Sequence, residues 1–288
     1  MSKGAGVADV RPAQPGDSGC VARSVPKEVG EREAAARHFE HLQTGDLVLV
    51  DRGYPAFWLF ALILSKKGHF CARFSTAGWS IVETFLVSGR LDQIVTLKPS
   101  AEARKECQAR GLSAAPLQLR LLRIELDGGG VEVLGTSLLD QQAYPYALFK
   151  ELYHTRWPVE EDYKVVKSRI EVENWSGESV LVIYQDFHAK IFTKNLTAII
   201  AHPIAKVVAQ TSQAKQYLYH PNMTHAVSKM KDTVVLLLQR ANTQGVSLLK
   251  QLWQLLLKTI EPVRPGRSYP RVKRVKPKRF AMNYKPTR

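Results

Sequence analysis

Asp46-Leu47-Val48-Leu49-Val50-Asp51-Arg52-Gly53-Tyr54-Pro55, continued by the run from Ala56 to Gly68 (AFWLFALILSKKG) and by His69-Phe70-Cys71-Ala72-Arg73-Phe74-Ser75, is the stretch that decides the fold. Leu47 to Val50 is short, wholly apolar and β-branched at alternate positions, which reads as a buried strand. Gly53 and Pro55 break it, and Pro55 suits the first turn of a helix closed by Gly68. His69 to Ser75 reads as a second strand. Strand, helix, strand in this order predicts a parallel βαβ unit, because parallel neighbours need a crossover connection.

Outward from this unit the character changes twice. Before it, residues 1–25 are rich in Gly, Pro, Ala and Ser and read as disordered, followed by an alanine-rich helix from about Glu31 to Leu42. After it, residues 79–140 hold the runs WSIVETFLV, QIVTLK, LQLRLLRIEL and VEVLGTSLL. These are separated by turn signals and by one helical piece, roughly Ala101 to Arg110, and predict a mostly antiparallel β segment. From Tyr146 onward the pattern is helical, through LFKELYHTRWPVEEDYKVVKSRIEVE, YQDFHAKIFTKNLTAIIAH, VSKMKDTVVLLLQ and VSLLKQLWQLLLK. The expected organisation is a disordered segment 1–27, an α/β core beginning at 28–78, a β-rich insertion at 79–146, a helical part of the core at 147–260 and a basic tail at 261–288.

Composition narrows the function classes. The 288 residues carry 41 Lys+Arg against 26 Asp+Glu, a formal net charge of +15, with 45% hydrophobic residues. A core is affordable, and the charge points to a polyanionic partner. Three scattered cysteines (Cys20, Cys71, Cys107) exclude a disulfide framework and a zinc ribbon. The longest apolar stretch, Tyr54 to Leu64, is too short to span a bilayer, and the N-terminus has no apolar signal region. A cytoplasmic protein is expected. The charge concentrates after Glu261, where ten Lys or Arg, among them Arg271, Lys273, Arg274, Lys276, Lys278 and Arg279, face that single acid. Four prolines there forbid a continuous helix, and Tyr269, Phe280 and Tyr284 are interleaved. Such an arm can lie along a phosphate backbone, although a solvated tail has the same composition.

Two segments carry candidate chemistry. Asp51 stands at the carboxyl end of the first predicted strand, where open α/β sheets place their sites. An Asp there also serves as a turn or cap residue. Tyr153, Arg156, Glu160 and Lys167 are spaced 0, 3, 7 and 14, which brings them within about 60° on an ideal helix. A solvated helix face with i,i+4 pairing gives the same pattern, and Pro158 makes the helix start or kink within it.

LVLVDRGYP together with YHTRWPVEEDYKVVK resembles the DDE transposases of bacterial insertion sequences, in particular the group known by its Tyr-Arg-Glu-Lys signature (insertion-sequence-4 type). The signature spacing is matched without gaps, and EVENWSGES followed by QDFHAKIFTKNLTA resembles the segment that follows it. The resemblance runs over roughly residues 28–288. It implies a ribonuclease H-like core, a mixed sheet with flanking helices, carrying a β-rich insertion before the helix that bears the Glu. It implies phosphoryl transfer on DNA with Mg²⁺, Mn²⁺ being an acceptable substitute, held by Asp51 and Glu160. Tyr153, Arg156 and Lys167 would grip the terminal DNA. The implied partner is double-stranded DNA, both element ends and target, with a homodimer on that DNA left open, in the bacterial cytoplasm at the nucleoid.

The resemblance also requires a first Asp on an earlier core strand. Asp9 and Asp17 are the acids that precede residue 28, and neither ends a strand-like run. The expectation is a chain lacking the N-terminal part of the domain and, by itself, giving little strand transfer. The competing reading is a catalytically inactive DNA-binding or regulatory remnant. No helix-turn-helix is evident.

Overall fold

The computed structural model describes residues 30–126, 129–156, 162–163, 165–240 and 243–264. They fall into two compact units that divide between Val159 and Glu160. No helix among the described residues is long and apolar enough to cross a membrane.

The first unit is an α/β arrangement built on a mixed five-stranded sheet. Its elements are α1 (Glu31–Phe39), β1 (Leu47–Val50), α2 (Phe57–Ser65), β2 (His69–Phe74), α3 (Ser80–Val87), β3 (Asp92–Leu97), α4 (Ala101–Ala109), β4 (Leu117–Glu125), β5 (Val131–Thr136) and α5 (Leu148–His154). The strand order is β1-β2-β5-β4-β3. β1 and β2 are parallel, Leu47 opposite His69 and Val50 opposite Ala72, so the expected βαβ unit is present. The remaining pairs are antiparallel, and β3, β4 and β5 of the β-rich segment extend the same sheet.

Period-two alternation assigns the faces. Val48, Val50, Phe70, Phe74, Leu119, Leu121 and Val133 pack against α1 to α4. Leu47, Leu49, Cys71, Leu122, Ile124 and Leu134 pack against Phe149 and Tyr153 of α5. The sheet is therefore covered on both sides, which is why β1 reads as an uninterrupted apolar run. Helix α2 is buried at six of its nine positions, and Phe60 stacks on Phe70 with centroids 4.1 Å apart. Arg110, which closes α4, lies 4.2 Å over the Trp58 ring and pairs with Glu33 of α1 at 3.0 Å, tying three helices of one layer together. On the other face Arg120 is fully buried. Its guanidinium forks onto Asp92 at 2.9 and 2.6 Å and donates to the Tyr144 carbonyl at 2.6 Å.

One run departs from expectation. WSIVETFLV is β-rich in composition, with Ile81, Val82 and Thr84 branched at Cβ, yet Ser80–Val87 is helix α3. Its buried residues, Val82 and Phe85, are three apart, a helical period, and Val87 is left exposed. The Glu83 carboxylate accepts the Gly78 N–H at 2.9 Å, which satisfies a donor at the helix start. Local capping and tertiary burial here override strand propensity. Gly135 of β5 is the one position where the sheet needs a missing side chain, since a Cβ there would sit 2.3 Å from the Phe74 ring.

The second unit contains a π-helical turn (Val165–Arg169), α6 (Val180–Ser212), β6 (Tyr219–Pro221), α7 (Met223–Gln239), α8 (Thr243–Lys258) and β7 (Ile260–Pro262). Ala201, Ile204 and Val208 of α6 meet Ala226 of α7 and Leu256 of α8. β6 and β7 form a short antiparallel ribbon, and Asn222 caps α7 by accepting the His225 N–H at 2.9 Å. Pro203 lies inside α6. It removes the donor that would meet the Ile199 carbonyl and disturbs the ladder beside it. The neighbouring Ile200 carbonyl receives the Trp253 indole N–H at 2.8 Å. Trp253→Phe keeps most of the apolar surface and removes this donor. It is expected to lower stability by about 1 kcal/mol, measured as a shift in the urea midpoint at unchanged slope.

Candidate functional site

The turn Asp51-Arg52-Gly53-Tyr54 builds the site. β1 ends at Val50, and the Tyr54 N–H donates back to the Asp51 carbonyl at 3.0 Å, closing a tight turn. The Asp51 carboxylate is partly exposed and accepts the Arg52 N–H at 2.6 Å. Arg32 of α1 donates to the Gly53 carbonyl at 3.0 Å, and the Tyr54 side chain is buried. The turn is thus held from three sides, leaving a half-buried carboxylate beyond the carboxyl end of a buried strand.

Tyr153, in the last turn of α5, reaches the same strand end. Its ring is only 7% exposed, and its hydroxyl donates to the Val50 carbonyl over 3.3 Å. Burial pushes the phenol well above its ordinary range. The charge of Asp51 pushes the same way, while Arg156 and Arg73 pull it down. The phenol is therefore a neutral donor at physiological pH. The Arg156 guanidinium sits 5.3 Å over the Tyr153 ring, a cation–π contact that places a positive charge at the same end of α5.

Sequence reasoning missed Arg73. The register that pairs Val50 with Ala72 puts Arg73 one step on along β2, as Asp51 is one step beyond β1. Arg73 also pairs with Glu132 of β5 at 2.9 Å. Nothing local in HFCARFS marks this residue, since strand register alone brings it there.

The remaining expected residues are distributed differently. The described part of the signature is not one continuous α-helix. α5 closes at His154, where the Thr155 N–H bonds back to Glu151 and Leu152, and Arg156 lies in the turn that follows. Of the expected stripe of Tyr153, Arg156, Glu160 and Lys167, Tyr153 is a buried residue of α5 rather than a member of a solvated face. Lys167 is exposed in the π-helical turn of the second unit. Glu160 lies outside the described residues, as do segment 1–27 and the tail cations Arg271, Lys273, Arg274, Lys276, Lys278 and Arg279. Among the described residues no group of three or more His, Cys, Asp or Glu is placed to hold a metal ion. Asp51 alone of the expected metal ligands can be judged, and a half-buried carboxylate with oxygen lone pairs still open is a suitable hard donor for Mg²⁺. Cys71 is not a competing soft ligand. It is fully buried, and burial pushes its thiol up to about 12, so it stays protonated.

Comparison with known proteins gives the family. Residues 19–196 match the family model described as the transposase DDE domain. Over 143 residues the chain is 29% identical to the transposase InsG for insertion sequence element IS4 of Escherichia coli (strain K12). That match takes in 49% of this chain and 31% of InsG, so the chain spans about a third of that relative's length.

Proposed function

The chain belongs to the transposase DDE domain family, and from that premise we propose that it serves DNA transposition by phosphoryl transfer at the ends of an insertion element. The observation that supports this most is that Tyr153 reaches the strand end immediately before Asp51 and carries Arg156 over its ring. A carboxylate beyond β1 and a cation in the turn after α5 thus both lie near one phenol, as suits a site that must accept both a divalent metal and a phosphate.

In this reading β1, α2 and β2 are the ribonuclease H-like part, and β3 to β5 are the β-rich insertion that extends its sheet. Asp51 and Glu160 are the carboxylates that hold Mg²⁺, with Mn²⁺ able to replace it. When bound, such ions supply activation of an attacking oxygen and stabilisation of a leaving one. The chain's own residues do the positioning. Arg156 forks onto a phosphate with the Tyr153 ring as its platform, and Lys167 adds a point charge. The tail cations from Arg271 to Arg279 follow the backbone of double-stranded DNA at the element end and the target. The setting is the bacterial cytoplasm, at the nucleoid.

Salt-dependent DNA binding tests the proposal. Anisotropy of a labelled duplex should give a linear fall of log affinity with log salt. Arg156→Ala and Lys167→Ala should each reduce that slope by about 1, and removing residues 265–288 should reduce it by several. If only the tail truncation matters and both point variants bind as the parent does, the signature does not contact DNA and the reading fails.

A further inference from the structure

β3 closes the sheet on the side away from β1, and among the described residues β4 is its one strand neighbour. Which of its backbone groups stay open follows from the ladder. The Arg123 N–H donates to the Leu91 carbonyl at 2.8 Å, so Leu91 and Arg123 form a hydrogen-bonded pair. Such pairs alternate along an antiparallel ladder. Gln93, Val95 and Leu97 therefore bond to β4, opposite Leu121, Leu119 and Leu117. The N–H and C=O groups of Asp92, Ile94 and Thr96 point to the outer edge. The other side of β4 agrees. The Leu126 N–H donates to the Gly130 carbonyl at 2.8 Å, which turns the even-numbered residues of β4 toward β5 and the odd-numbered ones toward β3.

Edge strands are normally blunted by proline, lysine or a bulge. Asp92–Leu97 pairs with β4 residue for residue, without a bulge, and contains neither proline nor lysine. Its one charge, Asp92, is turned onto Arg120 and keeps 20% of its side chain exposed. Ile94 is 45% exposed on the same edge. A strand of this kind is a template for another strand.

The charge pattern says which strand fits. Asp92 and Lys98 stand three residues on either side of Val95, and Lys98 is exposed. Two copies laid antiparallel about a twofold axis at Val95 set Asp92 of each opposite Lys98 of the other, and Ile94 opposite Thr96. The outward-pointing residues then form the hydrogen-bonded pairs, and Val95 meets its own copy in a non-hydrogen-bonded pair. An axis at Ile94 would instead oppose Arg90 and Lys98, and like charges directly opposite are unfavourable.

We propose that the β3 edge is an interface with a second copy of this chain, joining two five-stranded sheets into one with Asp92 opposite Lys98. β1 stands at the other end of the strand order, so the contact does not cover the turn at Asp51, and association needs no DNA.

Sedimentation equilibrium of the full chain without DNA should show a monomer–dimer equilibrium. Ile94→Pro removes an outward donor and no bond of the β4 ladder, so it should abolish the dimer and leave a folded monomer. Lys98→Glu should weaken association about tenfold, since both cross-strand charge pairs turn repulsive. With Cys20→Ala and the buried Cys71 and Cys107 left in place, Val95→Cys should give a disulfide-linked dimer under mild oxidation, because the paired Cα atoms stand about 4.5 Å apart. Thr96→Cys should not, its two copies lying diagonally at about 7–8 Å. If Ile94→Pro does not fold, Lys98→Glu and the cross-link decide. A parent chain that stays monomeric at every concentration overturns the proposal. So does a dimer that persists unchanged in Lys98→Glu and in folded Ile94→Pro, since the copies then meet elsewhere. Cross-linking through Thr96→Cys and not through Val95→Cys overturns the register, and the charge argument with it.

Discussion

Arg120→Met is expected to destabilise the first unit by about 3–5 kcal/mol, the range for removing one member of a buried ion pair. Arg120 is fully buried between β3, β5 and α5, and it satisfies two oxygens of Asp92 and the carbonyl of Tyr144 at once. Its guanidinium also lies 5.1 Å over the Phe149 ring. Methionine fills much of the volume, so the loss reports the stranded Asp92 carboxylate and the orphaned Tyr144 carbonyl rather than a cavity. Asp92 is the more exposed partner, at 20%, which pulls the expected value toward the lower end. Replacing both residues with apolar ones should recover most of the loss, because neither charge is then left alone. Urea unfolding of Arg120→Met and of the double variant checks this. A single variant within about 1 kcal/mol of the parent would mean that water reaches the pair.

The same pair shows what a sequence can and cannot disclose. The apolar runs of β1, α2 and β2 were legible because a strand covered on both faces leaves no polar position to confuse the pattern. Arg120 interrupts LQLRLLRIEL as any solvent-facing residue of an alternating strand would. Only the partner Asp92, at the start of another strand, makes it a core residue. α3 was misread for a related reason. Its β-branched residues state a preference, while the deciding facts are the Glu83–Gly78 cap and the burial of Val82 and Phe85. The ribbon of β6 and β7 was silent, because three-residue strands that both contain proline carry no period at all.

The candidate site divides along the same line. Asp51 could be read from its place after an apolar run, and Tyr153 and Arg156 from their spacing. Arg73 could not, since it is recruited by the register of β1 on β2. The spacing of the signature also suggests a single helical stripe; of its positions, Tyr153 is buried and Arg156, beyond the close of α5 at His154, is held over its ring. A spacing rule gives residue identities. The face they occupy depends on where the helix ends.

Tyr153→Ala is expected to have the largest effect at the site, a loss of about 3–5 kcal/mol for deleting a buried aromatic ring. The ring packs in the cluster with Phe149, Leu49 and Cys71, and its hydroxyl reaches the Val50 carbonyl immediately before Asp51. Tyr153→Phe separates these contributions. It keeps the ring and removes one long hydrogen bond, so about 1 kcal/mol or less should be lost. DNA binding should follow the ring and not the hydroxyl. Tyr153→Phe leaves the platform under Arg156 and should bind as the parent does, whereas Tyr153→Ala, measured where it is still folded, should resemble Arg156→Ala. Alkaline unfolding gives an independent check on burial. The folded phenol titrates above its unfolded value, so its proton is held more tightly in the native chain. Its contribution is then complete below the ordinary phenol value of about 10 and is lost as pH rises beyond it. Stability of Tyr153→Phe should therefore decline less steeply in that window than stability of the parent. A DNA affinity reduced as much by Tyr153→Phe as by Tyr153→Ala would move the hydroxyl from the strand end to the phosphate, and the anchoring role with it.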